Sequence, residues 1–308
     1  MKIGIVDLDT SHPAAWIPIE RELGHEIVGV WDGGSVHPAG YPEQFAKEHG
    51  IPRVYGALTD MPADVDCAII HGCDWDTHLT KARPFLEAGK AVLLDKPLAG
   101  NAADIAELQR LAAGGARITG GSSLRFCNEV TAYLAIPEKE RGLPHTVFCG
   151  CGVDVFNYGI HAYSMLSGIL GPGAVSVRHL GGHVQRHVRI TWADGRAGVI
   201  AIGATAQWLP FYATVVTERA VHQFTADTRD LYRGLLKVAF PYLAGSGPAP
   251  VAMDDLVECE LCALAAKLSW EEGDREVTLA EAGRSAASYN GAEFAVGYRR
   301  QRYPNAGG

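Results

Sequence analysis

The 308-residue sequence predicts an α/β protein in two domains: a doubly wound parallel sheet over residues 1–121, then an α+β half with an open, mainly antiparallel sheet over residues 122–308. Three observations predict it. Short apolar runs alternate with amphipathic stretches up to Gly120-Gly121. Strand-like runs then follow one another with few helices between. Asp194-Gly195 stands between two of those runs as a two-residue hairpin signal, which makes its neighbours antiparallel.

Residues 3–6 form the first apolar run, Asp7 to Thr10 supply turn and capping chemistry, and residues 11–23 read as an amphipathic helix before Gly24. A second run, 26–31, ends at Asp32-Gly33-Gly34, completing a βαβ unit that is parallel and right-handed by default. Residues 43–49 read as a helix and Arg53-Val54-Tyr55 as a short strand-like piece. The alternation continues with a strand at 67–71, a helix at 77–88, a strand at 91–94 ending in Asp95-Lys96-Pro97, a helix at 102–113 and a strand at 116–119. Beyond a helix near 128–134, the runs 145–153, 176–192, 197–205, 212–217 and 221–226 are strand-like, and 254–270 and 280–289 read as helices. From His183 to Trp192, polar His183, Gln185, His187, Arg189 and Thr191 alternate with Val184, Val188, Ile190 and Trp192, so one face of that sheet meets water or a partner.

A formal charge of −8 with interspersed signs offers no basic surface to a phosphate backbone, so nucleic acid is not expected as a partner. No apolar run approaches the ~20 residues of a membrane span, and the opening Met1-Lys2-Ile3-Gly4 leads straight into a strand without a signal-peptide layout; a cytoplasmic location is expected. Seven cysteines, an odd number, fit reduced thiols better than a disulfide framework.

A dinucleotide loop after the first strand normally places glycines so that the backbone turns tightly and approaches a pyrophosphate. Those positions here are Asp7, Asp9 and His12, two of them carboxylates that would repel such an anion. Thr10, Ser11 and the free amides of the helix start could still cradle it. Asp32, at the end of the second strand, suits a ribose 2′-hydroxyl and would repel a 2′-phosphate, which favours NAD over NADP. Lys96 follows a strand at the edge where doubly wound sheets place ligands, and His161 begins a helix after Asn157-Tyr158-Gly159-Ile160. A metal held by Asp7, Asp9 and His12, or by the pairs Cys149/Cys151 and Cys259/Cys262, weighs less than ordinary capping and buried thiols, so no metal is expected.

The segments Leu86-Glu87-Ala88-Gly89-Lys90, Asp95-Lys96-Pro97-Leu98-Ala99, Arg125-Phe126, Gly159-Ile160-His161 and Glu276-Val277-Thr278-Leu279-Ala280-Glu281 together resemble the glucose-fructose oxidoreductase and inositol dehydrogenase family, Gfo/Idh/MocA. The resemblance implies a Rossmann-type dinucleotide-binding domain at 1–121 and a substrate-binding and oligomerisation domain at 122–308. It also implies NAD(P)-linked chemistry on sugars or cyclitols, and a homodimer or homotetramer through the open sheet. By the same resemblance, Lys96 binds and polarises the substrate oxygen, His161 is the acid/base group, and His78 packs near the cofactor. Asn157 stands where the family commonly has an aspartate; an amide orients a substrate but accepts no proton as a base.

The expected function is therefore an NAD-dependent oxidoreductase for a sugar, cyclitol or related polyhydroxylated small molecule. Catalytic candidates are Lys96, His161 and Asn157; cofactor-binding candidates are Asp9, Thr10, Ser11, His12, Asp32, His78 and Lys96. The competing readings are a same-fold lyase or epimerase without net redox, and a non-catalytic sugar-binding member that has lost the glycine-rich loop.

Overall fold

A computed structural model describes residues 1–304. In the first half, strands β1 (Lys2–Val6), β2 (Glu26–Trp31), β3 (Cys67–Ile70), β4 (Ala91–Leu94) and β5 (Ile118–Gly120) alternate with helices α1 (His12–Glu22), α2 (Tyr41–His49), α3 (His78–Glu87) and α4 (Ala102–Ala113). All five strands are parallel, in the order β2-β1-β3-β4-β5. Outside β2 the piece at 53–55 adds a single parallel bridge, Val30 to Val54. The chain reverses its direction of winding between β1 and β3, and such a switch point opens a crevice at the carboxyl ends of the strands. The loops that follow β1, β3 and β4 meet there.

The second half runs α5 (Asn128–Ala135), α6 (Glu138–Arg141), β6 (Pro144–Gly150), α7 (Gly159–Leu170), β7 (Ala174–Gly182), β8 (Arg186–Trp192), β9 (Ala197–Ile202), β10 (Tyr212–Thr217) and β11 (Val221–Thr225). It continues with α8 (Leu231–Leu243), α9 (Met253–Leu256), α10 (Glu258–Glu271), β12 (Val277–Thr278), α11 (Leu279–Ala282) and α12 (Gly291–Arg302). Its sheet has the order β11-β10-β6-β9-β8-β7-β12, antiparallel throughout except between β6 and β9. Asp194-Gly195 turns β8 into β9. Val188, Ile190 and Trp192 face the core and His187 faces outward, as the alternation requires, but Val184 lies in the turn before β8 and is exposed. The expected long strand from 176 to 192 is thus two strands joined by that turn.

Besides the one-turn α6, two longer helices escape the sequence reading. α8 sends Leu235, Leu236, Ala239, Phe240 and Leu243 into the core beneath the first sheet, beside Ile3, Ile5, Trp16 and Leu93. α12 is the final helix, whereas the helix expected at 280–289 stops as α11 at Ala282, and Ser288 bridges to Asn101. Gly283 and the serines that follow it favour chain ends over a helix interior. The start of α12 is written in the sequence, since the Asn290 side chain caps the amide of Glu293.

Candidate active site

A cavity of about 250 Å3 lies at the carboxyl edge of the parallel sheet, walled by the loop before α1, the segment after β4, the start of α7, the start of α8 and the face of α12. It brings together Thr10, Ser11, His12, Lys96, Asn157 and His161.

Lys96 leaves the apolar strand β4 and is buried. Its ammonium donates to the Asn157 side-chain oxygen at 2.9 Å and to the Asn157 carbonyl at 3.1 Å, and lies 5.5 Å from the centre of the Tyr158 ring. Burial pulls its pKa down, with Asp95 and Asp154 opposing. No carboxylate among the described residues pairs with it. An ammonium has three donors, so one remains for a ligand oxygen. Asn157 is fixed because the Asp154 carboxylate accepts from the Phe156 and Tyr158 amides, which folds the loop before α7. Asp154 is therefore a loop-forming residue. His161, in the first turn of α7, is hydrogen-bonded through Nδ1 to the Ser122 hydroxyl at 2.7 Å, and Ser122 in turn accepts from the Leu124 amide. Burial, then the neighbouring Lys96 charge, holds His161 well below the ordinary histidine range, so it is neutral.

The loop after β1 solves the missing-glycine problem by turning its acids inward. Asp7 takes a left-handed φ of 64°, which aspartate tolerates better than most residues. Its buried carboxylate accepts from Lys81 at 2.6 Å and from the Gly33 amide at 3.1 Å. Gly72 makes the space: a Cβ there would come within 2.6 Å of the Asp7 carboxylate. Asp9 is also fully buried and accepts from the Cys73 amide at 2.9 Å; burial, then Asp7, pushes its pKa up to about 7. Neither acid lines the cavity, the expected cofactor contact Asp9 included. The set Asp7, Asp9 and His12 is not brought together. His12 pairs with Asp95 instead, and all seven cysteines are free and buried.

Around Asp95 the structure assembles a group that no sequence motif announced. His12 Nδ1 donates to Asp95 Oδ2 at 2.6 Å, His71 Nδ1 donates to the same oxygen at 2.9 Å, and the Lys96 amide donates to Oδ1 at 2.7 Å. Burial alone would raise the Asp95 pKa, but His12 and His71 together hold it well below the carboxylate range. An ionised carboxylate only accepts, so both Nδ1 atoms carry hydrogen.

Toward β2 the crevice is closed by the chain itself. Asp32 accepts from the Gly34 amide within its own turn. Arg299 of α12 donates to the Gly34 carbonyl, the Tyr303 hydroxyl bonds His37 Nδ1 at 2.6 Å, and His37 Nε2 donates to the Leu8 carbonyl at 2.9 Å. Val36, Cys73 and Ala295 are buried together beneath Phe294, Tyr298 and Tyr303. His78 is wholly buried, with Nε2 on the Gly72 carbonyl at 2.8 Å. It ties two loops together and does not itself line the cavity. The residues present thus fit the nicotinamide and diphosphate end of a dinucleotide, through Lys96, His161, Thr10 and Ser11. At the β2 end, α12 and Tyr303 rest on the loop where the adenosine end of a dinucleotide would lie.

Residues 2–119 match a family model described as an oxidoreductase family with an NAD-binding Rossmann fold. Trans-1,2-dihydrobenzene-1,2-diol dehydrogenase of Oryctolagus cuniculus is 42% identical over 85 residues, covering 27% of this chain and 25% of the rabbit protein. The Bos taurus protein of the same name is 33% identical over 106 residues, covering 34% and 30%. The match thus spans only about a quarter to a third of these curated relatives. Among solved structures, a probable dehydrogenase from Thermotoga maritima superposes with a TM-score of 0.80 at 18% identity, covering 92% of this chain and all of that one. The scyllo-inositol dehydrogenase of Lactobacillus casei, solved with NAD(H) and scyllo-inositol, gives 0.77 at 16% identity, covering 91% and 99%. The two-sheet architecture expected from the sequence is therefore that of known dehydrogenases.

Proposed function

We propose, from the match of residues 2–119 to the family model of NAD-binding oxidoreductases, that the chain is a Gfo/Idh/MocA oxidoreductase that interconverts a hydroxyl and a carbonyl on a polyhydroxylated small molecule such as a sugar or cyclitol. The observation that carries this reading is the convergence of a buried lysine without a carboxylate partner and a neutral, oriented histidine on one small cavity. When bound, a nicotinamide cofactor supplies or accepts the hydride. The chain does the rest. Lys96 donates its remaining N–H to the reacting oxygen, and its burial strengthens the stabilisation of negative charge there. Asn157 holds the ammonium in place. His161 takes the hydroxyl proton on the ring nitrogen that faces away from Ser122 and returns it in the reverse direction.

Thr10 and Ser11, at the start of α1, are the diphosphate contacts in this reading, supported by the inward turn of Asp7 and Asp9. Asp32 favours NAD over NADP. The cofactor-binding and substrate-binding parts divide at 121/122. The open face of the second sheet, with Phe148 and Leu180 exposed, serves a homodimer or homotetramer. Among the described residues no helix is long and apolar enough to cross a membrane, and the seven free cysteines accord with a cytoplasmic location. The test is a titration with NAD, NADH and NADP followed by cofactor reduction with myo- and scyllo-inositol. NAD should bind more tightly than NADP, and Asp32→Ala should narrow that difference. Failure of all three to bind removes the redox reading.

A further inference from the structure

The His12–Asp95–His71 group has no part in the hydride-transfer scheme, yet it borders the same cavity. The spacing of its atoms identifies what it is. Zinc ligands at 2.0–2.1 Å in a tetrahedron stand ~3.3 Å apart. The 2.6 and 2.9 Å separations here are those of charge-assisted hydrogen bonds, not of a coordination shell. Asp95 is a buried, ionised carboxylate whose two oxygens take three donors, so it is held rigidly. It fixes His12 with Nδ1–H turned inward, and the ring packs against both Trp16, at 5.8 Å, and Tyr232, at 5.0 Å. Among the described residues His12 Nε2 has no hydrogen-bond partner, and His12 lines the cavity. A histidine oriented through Nδ1 by a buried carboxylate, with Nε2 open to a ligand, is the arrangement of a general base and its orienting acid.

We infer that His12 is a second proton-transferring residue of this cavity, acting on the carbon next to the carbonyl of a bound polyhydroxy ketone, so that the site catalyses enolisation, and with it epimerisation, besides hydride transfer. The inference rests on the proposed function for its substrate class only. In the step, the C–H proton passes to His12 Nε2, the C–H electron pair becomes the C=C bond, and the carbonyl π pair moves onto oxygen, where the Lys96 ammonium stabilises the enolate. Delivery of a solvent proton to the opposite face gives the epimer, and His12 releases its own proton to solvent. Nothing is oxidised or reduced. Asp95 is a positioning residue that stabilises the imidazolium formed at His12.

The experiment incubates the full chain with 2-keto-myo-inositol in D2O, without cofactor, and follows deuterium entry next to the carbonyl by NMR. Wild-type protein should accelerate exchange over buffer, and His12→Ala should slow it about 100-fold or more, the usual worth of a general base. Added imidazole should restore part of the His12→Ala rate, and Asp95→Asn should give an intermediate loss. Absence of exchange in the wild type, wild-type exchange in His12→Ala, or failure of imidazole to restore any rate would each overturn the inference. Cofactor reduction with inositols is read separately: its absence alongside exchange removes the redox reading and leaves this one standing.

Discussion

The two ends of the crevice are built on opposite principles. At the proposed reacting end, Lys96, Asn157 and His161 line a shared cavity and keep donors or ring nitrogens available to a ligand. At the β2 end, comparable polar groups are taken up by the protein: Asp7 by Lys81, one oxygen of Asp9 by the Cys73 amide, Asp32 by its own turn, and His37 by Tyr303 and the Leu8 carbonyl. Polar residues at a strand edge therefore mark a ligand site only where the fold leaves them something to bind. Replacing glycine by aspartate did not place charge in the crevice; it moved the charge into the core and required Gly72 to make room for it.

The comparison is broken most directly at the reacting end. Lys96→Ala and His161→Ala should each lower turnover by about 100- to 10,000-fold, while thermal melting still shows a cooperative transition. Wild-type turnover in both variants would remove that end from the chemistry. At the other end, Lys81→Met leaves Asp7 buried without its cation, and urea unfolding should report a loss of about 3–5 kcal/mol. The double variant Asp7→Asn with Lys81→Met should recover a large part of it.

A smaller effect sharpens the role of α12. Tyr303→Phe combined with Arg299→Ala removes two bonds that hold the helix on the β2 loop. At about 0.5–1.5 kcal/mol each, their loss should tighten NAD binding roughly 5- to 100-fold by calorimetry. Unchanged affinity would mean that the helix does not compete with the adenosine end.

The smallest effect is in pH dependence. Burial depresses the pKa values of His71, His78 and His161, so the unfolded chain binds protons there below about pH 6.5 that the folded chain refuses. Each such group costs stability as pH falls, at most about 1.4 kcal/mol per unit. Asp9, pushed up to about 7, has the opposite sign and costs stability as pH rises from about 4 to 7. Wild type and His78→Asn compared by urea unfolding at pH 7 and pH 5 isolate one term: the variant should lose less on acidification.

Much of the fold was readable because period and punctuation agreed. α4, with its Asn101 cap, and β10 stand where the pattern put them, and the hairpin at Asp194-Gly195 follows from turn chemistry alone. α8 was missed because Gly234 and Pro241 interrupt its helical composition, and its formation depends on burial against a sheet some two hundred residues earlier in the chain. At the site, Lys96 and His161, singled out from short local segments, both line the cavity. Asp95 was visible only as a neighbour of Lys96, because its partners His12 and His71 lie 83 and 24 residues away and no local pattern relates them. The inward turn of Asp7 depends on Lys81 and Gly72, a three-body packing fact that spacing does not encode.

The return of α8 to the underside of the parallel sheet bears on how this molecule can be taken apart. A fragment ending at Gly121 would keep every strand and crossover of the nucleotide-binding fold, yet it would bare the greasy surface that Leu235, Leu236, Phe240 and Leu243 cover. Such a piece should aggregate on expression, and grafting the 231–243 helix back, in cis or as a separate peptide, should rescue it. For anyone borrowing this scaffold, the smallest portable unit is discontinuous in the gene.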